Sequence, residues 1–176
     1  EGTTAELVEG MEHGEYDLAL TLLPIDGRVF NWEKVVEEEL ILAVPSSYPQ
    51  FSATVVPDRK YRSVDAAVLD GKSLVTLTDT QYMQKQLQNI LIEKKISINT
   101  AAIVKSLEAQ IEFVKAGVGM ALVPSGIERF CNDGSVTFYS FTDPLPKREV
   151  VVMWRKDRKL SKVAAELKEV IHSIEW

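Results

Sequence analysis

The stretch that most constrains the fold of this chain is residues 106–125, which read SLEAQIEFVKAGVGMALVPS. Apolar residues recur from Leu107 to Val118 at spacings of four, three and four, and this period predicts a helix with one apolar face. Ser106, just before it, is a residue type that accepts hydrogen bonds from the first amides of a helix. The first half of the stretch therefore predicts a helix that is capped by Ser106.

The second half of this stretch predicts a glycine turn and a buried strand. Gly117 is suited to the left-handed conformation that ends a helix, and Gly119 allows the backbone to turn tightly. The apolar run at residues 120–123 is too short for a helix and is stopped by Pro124, so we expect a buried strand that ends in a loop at Ser125. Helix, turn and strand in this order form half of an α/β unit, and such folds bind ligands at the carboxyl ends of their strands.

The remainder of the chain alternates between strand and helix patterns. Apolar runs predict strands at residues 17–23, 40–44, 73–77, 98–104, 136–141 and 148–154. Apolar residues at helical spacing predict helices at residues 4–13, 63–69, 81–94 and from 162 onward, whereas residues 32–39 are polar and mixed. We therefore expect an α/β fold in which mostly parallel sheets are covered by helices on both faces.

The last predicted helix is amphipathic. Ser161 is its predicted N-cap. Its apolar face comprises Val163, Ala164, Leu167, Val170, Ile171 and Ile174.

The composition limits the functions that are open to this chain. Its 176 residues include 20 Lys plus Arg against 26 Asp plus Glu, a net charge of -6, so the chain would repel a phosphate backbone and is not expected to bind DNA or RNA by itself. No apolar run approaches the roughly 20 residues that span a bilayer. We therefore expect no membrane partner, and the cytoplasm is the expected compartment.

The chain offers few residues for catalysis or metal binding. Cys131 is the single cysteine and lies in a predicted turn, where we expect an incidental thiol, and His13 and His172 are far apart in sequence. There is no phosphate loop and no dinucleotide-binding fingerprint. We therefore expect no catalytic residue, no metal site and no cofactor, although an enzyme mechanism that uses carboxylates only stays open.

Four stretches, in order along the chain, resemble the effector-binding domain of LysR-type transcriptional regulators. They are residues 1–20 (EGTTAELVEGMEHGEYDLAL), residues 37–51 (EEELILAVPSSYPQF), residues 106–125 quoted above, and residues 149–171 (EVVVMWRKDRKLSKVAAELKEVI). The resemblance implies a two-lobed fold of the type 2 periplasmic-binding-protein-like kind. Residues 1–44 and 148–176 would form lobe I, and residues 45–147 would form lobe II.

Two parts of the family pattern are missing, so the chain resembles a fragment. They are the N-terminal winged helix-turn-helix with its linker helix, which binds DNA in the family, and the opening strand and helix of lobe I. The resemblance implies a sensor that binds a small-molecule effector between its lobes and reaches DNA only through the missing domain. It also implies a homodimer, and a tetramer in the full-length protein, in which residues 4–13 of one copy lie beside residues 81–94 of the other.

The predicted binding site lies where three strands of lobe II end. If these strands are parallel, their carboxyl ends open on one crevice, and two of them lead into helix N-termini, which favour a carboxylate or a phosphate. The resemblance implies that Thr78 and Thr80 hold the effector, that Pro124 and Ser125 form a pocket loop, and that lobe I contributes from its own strand end. The full set of predicted effector-binding residues is Thr78, Thr80, Gln81, Tyr82, Ser106, Pro124, Ser125, Leu22 and Leu23.

A simpler interpretation exists for the hydroxyls, because a Ser or Thr just before a helix is more often a cap than a ligand contact. A different function is also open, since the solute-binding protein of a transporter would share the two-lobed fold. An upstream reading frame that encodes a helix-turn-helix would favour the sensor, and one that encodes an export signal would favour the carrier.

Overall fold

The computed structural model describes residues 2–79 and 81–176. The helices are α1 (Thr4–His13), α2 (Tyr82–Lys94), α3 (Leu107–Lys115) and α4 (Lys162–Ser173). The strands are β1 (Ala19–Leu22), β2 (Phe30–Glu38), β3 (Leu40–Pro45), β4 (Ser63–Val64), β5 (Ser73–Leu77), β6 (Asn99–Val104), β7 (Ala121–Pro124), β8 (Val136–Phe141) and β9 (Arg148–Arg155). These elements confirm the predicted α/β class. Within the described ranges, no helix is both long enough and apolar enough to cross a membrane.

The chain divides into two units. Unit 1 comprises Glu1–Glu38 and Lys147–Trp176, and unit 2 comprises Glu39–Pro146. The sequence analysis placed the first division after residue 44, but it falls earlier, before β3, because β3 pairs with β7 and β8 of unit 2. The second division adjoins the predicted one.

Unit 1 is built on a three-stranded sheet in the order β1-β9-β2, and both pairings in it are antiparallel. The predicted mostly parallel sheet is therefore wrong for these strands. The reason is that β9, which returns from the far end of the chain, inserts between β1 and β2 and runs against both. Met11 of α1 packs on one face of this sheet, against Ala19 of β1, Phe30 of β2 and Met153 of β9.

Residues 32–39, which the sequence analysis left without a strand, lie almost entirely in β2. This strand pairs with β9 along its length, with a bulge between Lys34 and Val36. At its end, Arg148 Nε donates to the Glu38 carboxylate at 2.8 Å. Their side chains are only 17% and 11% exposed, respectively. The polar composition did not exclude a strand, because charged partners from other parts of the chain, such as Arg148 for Glu38 and Lys168 for Glu33, engage its carboxylates.

Unit 2 contains a four-stranded sheet in the order β4-β8-β3-β7 and a parallel pair, β5-β6. All six residues of β3 are buried, and its alternating side chains enter two cores on opposite faces. Met83, Leu87 and Ile90 of α2 pack in one core, and Ile111 and Val114 of α3 pack in the other. The two helices thus cover the two faces of this unit.

The stretch at residues 106–125 folds as the sequence predicts, with one difference. Ser106 Oγ accepts from the Ala109 amide at 3.2 Å, and Gly117 ends the helix with a φ of 77°. Gly119 has a different role from the expected turn, because a Cβ there would lie 2.7 Å from the carbonyl oxygen of Ser73. A glycine at this position lets the start of β7 approach β5 closely.

The helix predicted at residues 63–69 is shorter than expected. Ser63 lies in β4, and a 3-10 turn at Ala66–Leu69 follows. The cap is Asp65, whose carboxylate accepts from the Ala67 amide at 2.8 Å. The capping residue differs from the predicted one because Ser63 is already paired with β8.

Candidate functional site

Three strand ends of unit 2 open at one edge. β5 and β6 pair in parallel along their lengths, and a parallel bridge between Leu74 and Met120 aligns the start of β7 with β5. The carboxyl ends of these strands, at Leu77, Val104 and Pro124, therefore point in the same direction. This is the arrangement that open α/β sheets use for ligand binding.

Helices α2 and α3 begin at this edge, and one side chain joins their N-termini. Gln81 Nε2 donates to the carbonyl of Lys105 at 2.8 Å and to Thr78 Oγ1 at 3.3 Å. Gln81 thereby ties the loop after β5 to the loop after β6. The positive ends of two helix dipoles are held near each other, and such a place favours an anion.

Two of the predicted polar residues, Thr78 and Thr80, follow β5 in the sequence, with Asp79 between them. Thr78 is half-buried, and its hydroxyl accepts from Gln81. Asp79 is exposed, and one oxygen of its carboxylate accepts a hydrogen bond from the side-chain amide of Gln88 on α2 at 3.0 Å. Thr80 lies outside the described residues.

Two further predicted residues have structural contacts. Ser106 Oγ caps α3 through the Ala109 amide, which is the simpler interpretation that its residue type suggested. Tyr82, the first residue of α2, packs against the core on which α2 lies. Neither contact prevents the outer part of these half-buried side chains from meeting a ligand.

The remaining predicted residues lie at other strand ends. Pro124 is buried at the end of β7, and half-buried Ser125 follows it with its amide bonded to the carbonyl of Glu39 at 2.8 Å. Leu22 and Leu23 lie in unit 1, at the end of β1, and both are half-buried. Six of the predicted residues (Thr78, Gln81, Tyr82, Ser106, Pro124 and Ser125) thus lie within unit 2 at or next to the edge where α2 and α3 begin.

Two buried glutamines beside this edge were not found from the sequence. Gln84 of α2 accepts from the Leu77 amide at 3.3 Å, and Gln110 of α3 donates to the Val75 carbonyl at 2.9 Å. Each glutamine gives the backbone of β5 a partner from a helix instead of a strand. The signal that could have found them is a polar residue at the border of an apolar helix face.

A polar cluster around Glu128 anchors the 3-10 segment Ser125–Phe130 that follows β7. Lys60 pairs with the Glu128 carboxylate, and the Tyr61 hydroxyl donates to it at 2.5 Å. Burial raises the pKa of Tyr61 above its ordinary value, and the Glu128 carboxylate adds to the effect. Burial also raises the pKa of Glu128, but the hydrogen bonds from Lys60 and Tyr61 outweigh it and hold that pKa below its ordinary value.

Metal and thiol chemistry find no support in the described part of the chain. Residues 2–79 and 81–176 contain no group of three or more His, Cys, Asp or Glu that could hold a metal ion. Cys131 is buried, and this burial raises the pKa of its thiol, which disfavours the reactive thiolate.

Unit 1 contains a small surface depression. It is lined by Tyr16, Asp17, Arg155, Arg158, Lys159 and Leu160. Arg155 is already paired with Asp157 at 2.5 Å, and it also donates to the Glu12 carbonyl in the last turn of α1. Its cation stabilises the end of a helix, so we do not place the ligand site there.

Two α/β units, one made from both ends of the chain and one from its middle, with helix N-termini at the ends of parallel strands, define a ligand-binding domain of the periplasmic-binding-protein-like class. The family model of the LysR substrate binding domain matches residues 1–174, so the chain belongs to that family. The resemblance found in the sequence is thereby confirmed. Domains of this family in transcription regulators sense ligands and are not enzymes, which also confirms the prediction that the chain is not an enzyme.

Two curated relatives are longer than this chain. It is 23% identical over 174 residues to the DNA-binding transcriptional dual regulator OxyR of Escherichia coli (strain K12), which covers 98% of this chain and 54% of that protein. It is 23% identical over 176 residues to the uncharacterized HTH-type transcriptional regulator YwbI of Bacillus subtilis (strain 168), which covers 100% of this chain and 56% of that protein. The chain thus spans about half the length of these relatives.

Solved structures share the fold. The regulatory domain of Synechocystis PCC6803 CcmR in complex with 2-PG is similar with a TM-score of 0.77 at 13% identity, covering 97% of this chain and 79% of that chain. The effector binding domain of QuiR in complex with shikimate is similar with a TM-score of 0.72 at 18% identity, covering 97% and 77%. These likenesses confirm the predicted type 2 periplasmic-binding-protein-like fold.

Proposed function

We propose that this chain is the sensing part of a bacterial LysR-type regulator and that it binds a small metabolite bearing a carboxylate. The ligand lies at the edge of unit 2 where β5, β6 and β7 end. In the longer protein, binding changes the activity of a DNA-binding domain, so the cytoplasm is the compartment in which it acts. The transporter alternative is not supported, because the relatives are transcriptional regulators.

The observation that carries this proposal is the bridge made by Gln81. Its bond to the Lys105 carbonyl holds the N-termini of α2 and α3 together, at the ends of strands that are themselves parallel. A carboxylate there meets the positive ends of two helix dipoles. No buried cation has to be supplied, so the binding energy comes from amides and hydroxyls.

Hydroxyl groups supply the remaining contacts. Thr78 lies at the end of β5 and is only half-buried, and Thr80 is two residues further along the sequence. A hydrogen bond from a neutral group to a charged ligand contributes about 1.5 to 3 kcal/mol. We therefore assign these two threonines the largest side-chain share of the affinity.

Peroxide sensing through a thiol is a function that the chemistry of this chain does not favour. One relative is named hydrogen peroxide-inducible genes activator. Here the one cysteine, Cys131, is buried, and its thiol has a raised pKa. A low pKa and exposure are what a peroxide-reactive cysteine needs.

The test is a ligand screen followed by calorimetry. Thermal shift with a panel of organic acids that includes shikimate identifies a binder, and the primary amide of that acid is then compared with it. The acid should bind at least about tenfold more tightly than its amide, because the amide lacks the charge that the helix N-termini favour. Thr78→Val with Thr80→Val should weaken binding of the acid by at least about tenfold.

Thr100→Val is the matched control, because Thr100 lies near the amino end of β6, away from the strand ends. It should leave affinity unchanged. If the acid and its amide bound equally tightly, the proposal that the ligand is an anion would be wrong. Equal affinity in the Thr78/Thr80 double variant and the wild type would move the site away from the end of β5.

A further inference from the structure

Strands β5 and β7 of unit 2 are hydrogen-bonded to each other at their starts and then separate. The Val75 amide donates to the Met120 carbonyl at 2.8 Å, and the Met120 amide donates to the Ser73 carbonyl at 2.9 Å. Beyond Met120, β7 pairs with β3 on its other side. We call the space between residues 75–77 of β5 and residues 121–124 of β7 the β5–β7 gap. It opens at the edge of unit 2 where α2 and α3 begin.

Two glutamine side chains take the place of strand partners in the β5–β7 gap. The backbone groups of alternate residues in a strand point to the same neighbour, so the Val75 carbonyl and the Leu77 amide both face the gap. Gln110 of α3 donates to the Val75 carbonyl at 2.9 Å, and Gln84 of α2 accepts from the Leu77 amide at 3.3 Å. Since α2 and α3 pack in different cores, the two side chains enter the gap from opposite faces.

The amide of Gln110 has one unused acceptor. A carbonyl can only accept, so the Val75 carbonyl fixes Gln110 Nε2 toward itself and leaves Gln110 Oε1 on the other side. Gln110 is only 2% exposed, and Oε1 has no hydrogen-bond partner among the described residues. A buried acceptor without a donor is unfavourable. The Gln84 oxygen differs, because the Leu77 amide already donates to it.

The free oxygen of Gln110 lies close to the proposed ligand edge. The backbone amide of Gln110 donates to the Ser106 carbonyl at 3.1 Å, so Gln110 is one turn from the cap of α3. One turn rises about 5.4 Å, and long side chains on a helix lean toward its N-terminus. Gln110 Oε1 is therefore within about one helical turn of the first amides of α3. The helix N-terminus favours an anion, whereas this oxygen requires a donor.

A hydroxyl group fits this requirement better than an ammonium group. The positive ends of the α2 and α3 dipoles disfavour a cation. An ammonium group would also need a buried carboxylate beside it. Asp79 and Glu108, the acidic residues next to the starts of these helices, are both exposed, and Asp79 is bonded to Gln88. A neutral donor avoids both problems.

We propose that the effector is a hydroxy acid whose hydroxyl enters the β5–β7 gap and donates a hydrogen bond to Gln110 Oε1. This inference rests on the proposed function, which places the carboxylate at the N-termini of α2 and α3. Because Gln110 Oε1 is within about one helical turn of those amides, the hydroxyl is on the carbon next to the carboxylate or on the following carbon. Gln110 is then a specificity-determining residue, since an acid without the hydroxyl leaves its oxygen unpaired.

Pairs of acids that differ by one hydroxyl test the proposal. The probes are lactate with propionate, malate with succinate, and 3-hydroxybutyrate with butyrate, and each hydroxy acid is used as separate enantiomers. Calorimetry with the 176-residue chain should show at least one hydroxy acid that binds at least about tenfold more tightly than its partner. Replacing that hydroxyl by fluorine should weaken binding as much as removing it, because fluorine is small and cannot donate.

Two glutamine variants assign the preference to one side chain. In Gln110→Leu the ratio of the two dissociation constants, without and with the hydroxyl, should fall to about one. Gln84→Leu is the matched control, because it also removes a buried glutamine and leaves one backbone group of β5 without its partner. It should leave this ratio unchanged, whatever it does to affinity. Urea unfolding verifies that both variants fold. If Gln110→Leu does not fold, the fluorinated acid decides, since that comparison uses the wild-type chain.

Two outcomes would overturn the proposal. One is a panel in which no hydroxy acid binds more tightly than its partner, including a panel in which none binds. The other is a preference for the hydroxyl that Gln110→Leu leaves intact, which would assign the hydroxyl to another residue.

The proposed function can stand or fall separately. If acids bind more tightly than their amides but the hydroxyl has no effect, the proposed function stands and this inference is wrong. If a preferred hydroxy acid and its amide bind equally tightly, the anion site of the proposed function is wrong.

Discussion

At the scale of single residues, Glu33 is the carboxylate that attaches α4 to the sheet of unit 1. The hydrogen bond from Lys168 lowers the pKa of Glu33 below its ordinary value, and His172 adds a smaller effect in the same direction. Glu33 is 42% exposed and Lys168 is 15% exposed, so solvent screens the attraction. Exposed pairs of this kind contribute about 0.5 kcal/mol each.

The lowered pKa of Glu33 predicts a pH dependence of stability. A carboxylate whose folded pKa is depressed contributes stability above its unfolded pKa, near 4.5, and loses that contribution as the pH falls through the folded pKa. Glu33→Gln should therefore lower the free energy of unfolding by about 0.5 to 1 kcal/mol at pH 7, and this difference should shrink as the pH falls below 4.5. Urea unfolding of both proteins between these pH values gives the difference curve.

Glu9→Gln is the control for this experiment, because Glu9 lies on the exposed side of α1 and its substitution removes the same charge. A difference curve for Glu33→Gln that matches the one for Glu9→Gln would show that the contact with Lys168 and His172 does not contribute to stability.

At the scale of single elements, two serines cap helices with the same geometry but in different surroundings. Ser106 Oγ accepts from the Ala109 amide at 3.2 Å at the start of α3, and Ser161 Oγ accepts from the Ala164 amide at 3.2 Å at the start of α4. Only Ser106 lies at the strand ends where we place the ligand. The pair therefore separates the capping role of a serine from a binding role.

Replacing these caps by alanine should cost stability in both helices. Ser106→Ala and Ser161→Ala should each lower the free energy of unfolding by about 1 kcal/mol, because a first-turn amide loses its acceptor. Urea unfolding at pH 7 measures the change. If Ser106 serves only as a cap, the affinity for the organic acid found by the screen should be the same in both variants. A weakening confined to Ser106→Ala would add a ligand contact to its role.

At the scale of the whole molecule, the net negative charge of this chain disfavours binding to DNA. The chain has 26 acidic against 20 basic side chains and a net charge of -6. Many of the basic groups in the described ranges are engaged locally, such as Lys147 with Glu37 and Arg148 with Glu38. A surface of this kind repels phosphate groups at long range.

We therefore predict that the 176-residue chain does not bind duplex DNA at moderate salt. Gel-shift titration should show no retarded band up to protein concentrations on the order of 10 μM. Proteins that bind DNA non-specifically often have dissociation constants of about this size. Addition of the organic acid should not change this. A retarded band that persists against unrelated competitor DNA would contradict the prediction.

Much of this protein could be predicted from its sequence because the responsible interactions are local. The helix from Leu107, its Ser106 cap, the left-handed Gly117 and the buried strand before Ser125 depend on residues close in the chain. The alternation of strands and helices predicted the α/β class in the same way, and the family resemblance followed from the order of these local patterns.

The effector site could be predicted only to its neighbourhood. A Ser or Thr before a helix is more often a cap than a ligand contact, so the sequence could place Thr78 and Ser106 at the strand ends but could not give their partners. The bridge from Gln81 to the Lys105 carbonyl joins residues 24 positions apart, and no local pattern predicts it. The glutamines at 84 and 110 were missed because a polar residue at the border of an apolar helix face does not by itself indicate which backbone group it will meet.

The tertiary structure decided the features that depend on distant parts of the chain. β9 runs against β1 and β2 because the returning segment inserts between them, and Gly119 is needed because β5 passes within van der Waals contact of its backbone. The apolar period of α4 predicted an amphipathic helix from sequence. Which residues of that helix meet the sheet was decided by the tertiary structure: Ala164 and Ile171 are buried, and Lys168 and His172 contact Glu33, which is more than a hundred residues away. Contacts between segments so distant in the chain leave no local pattern in the sequence.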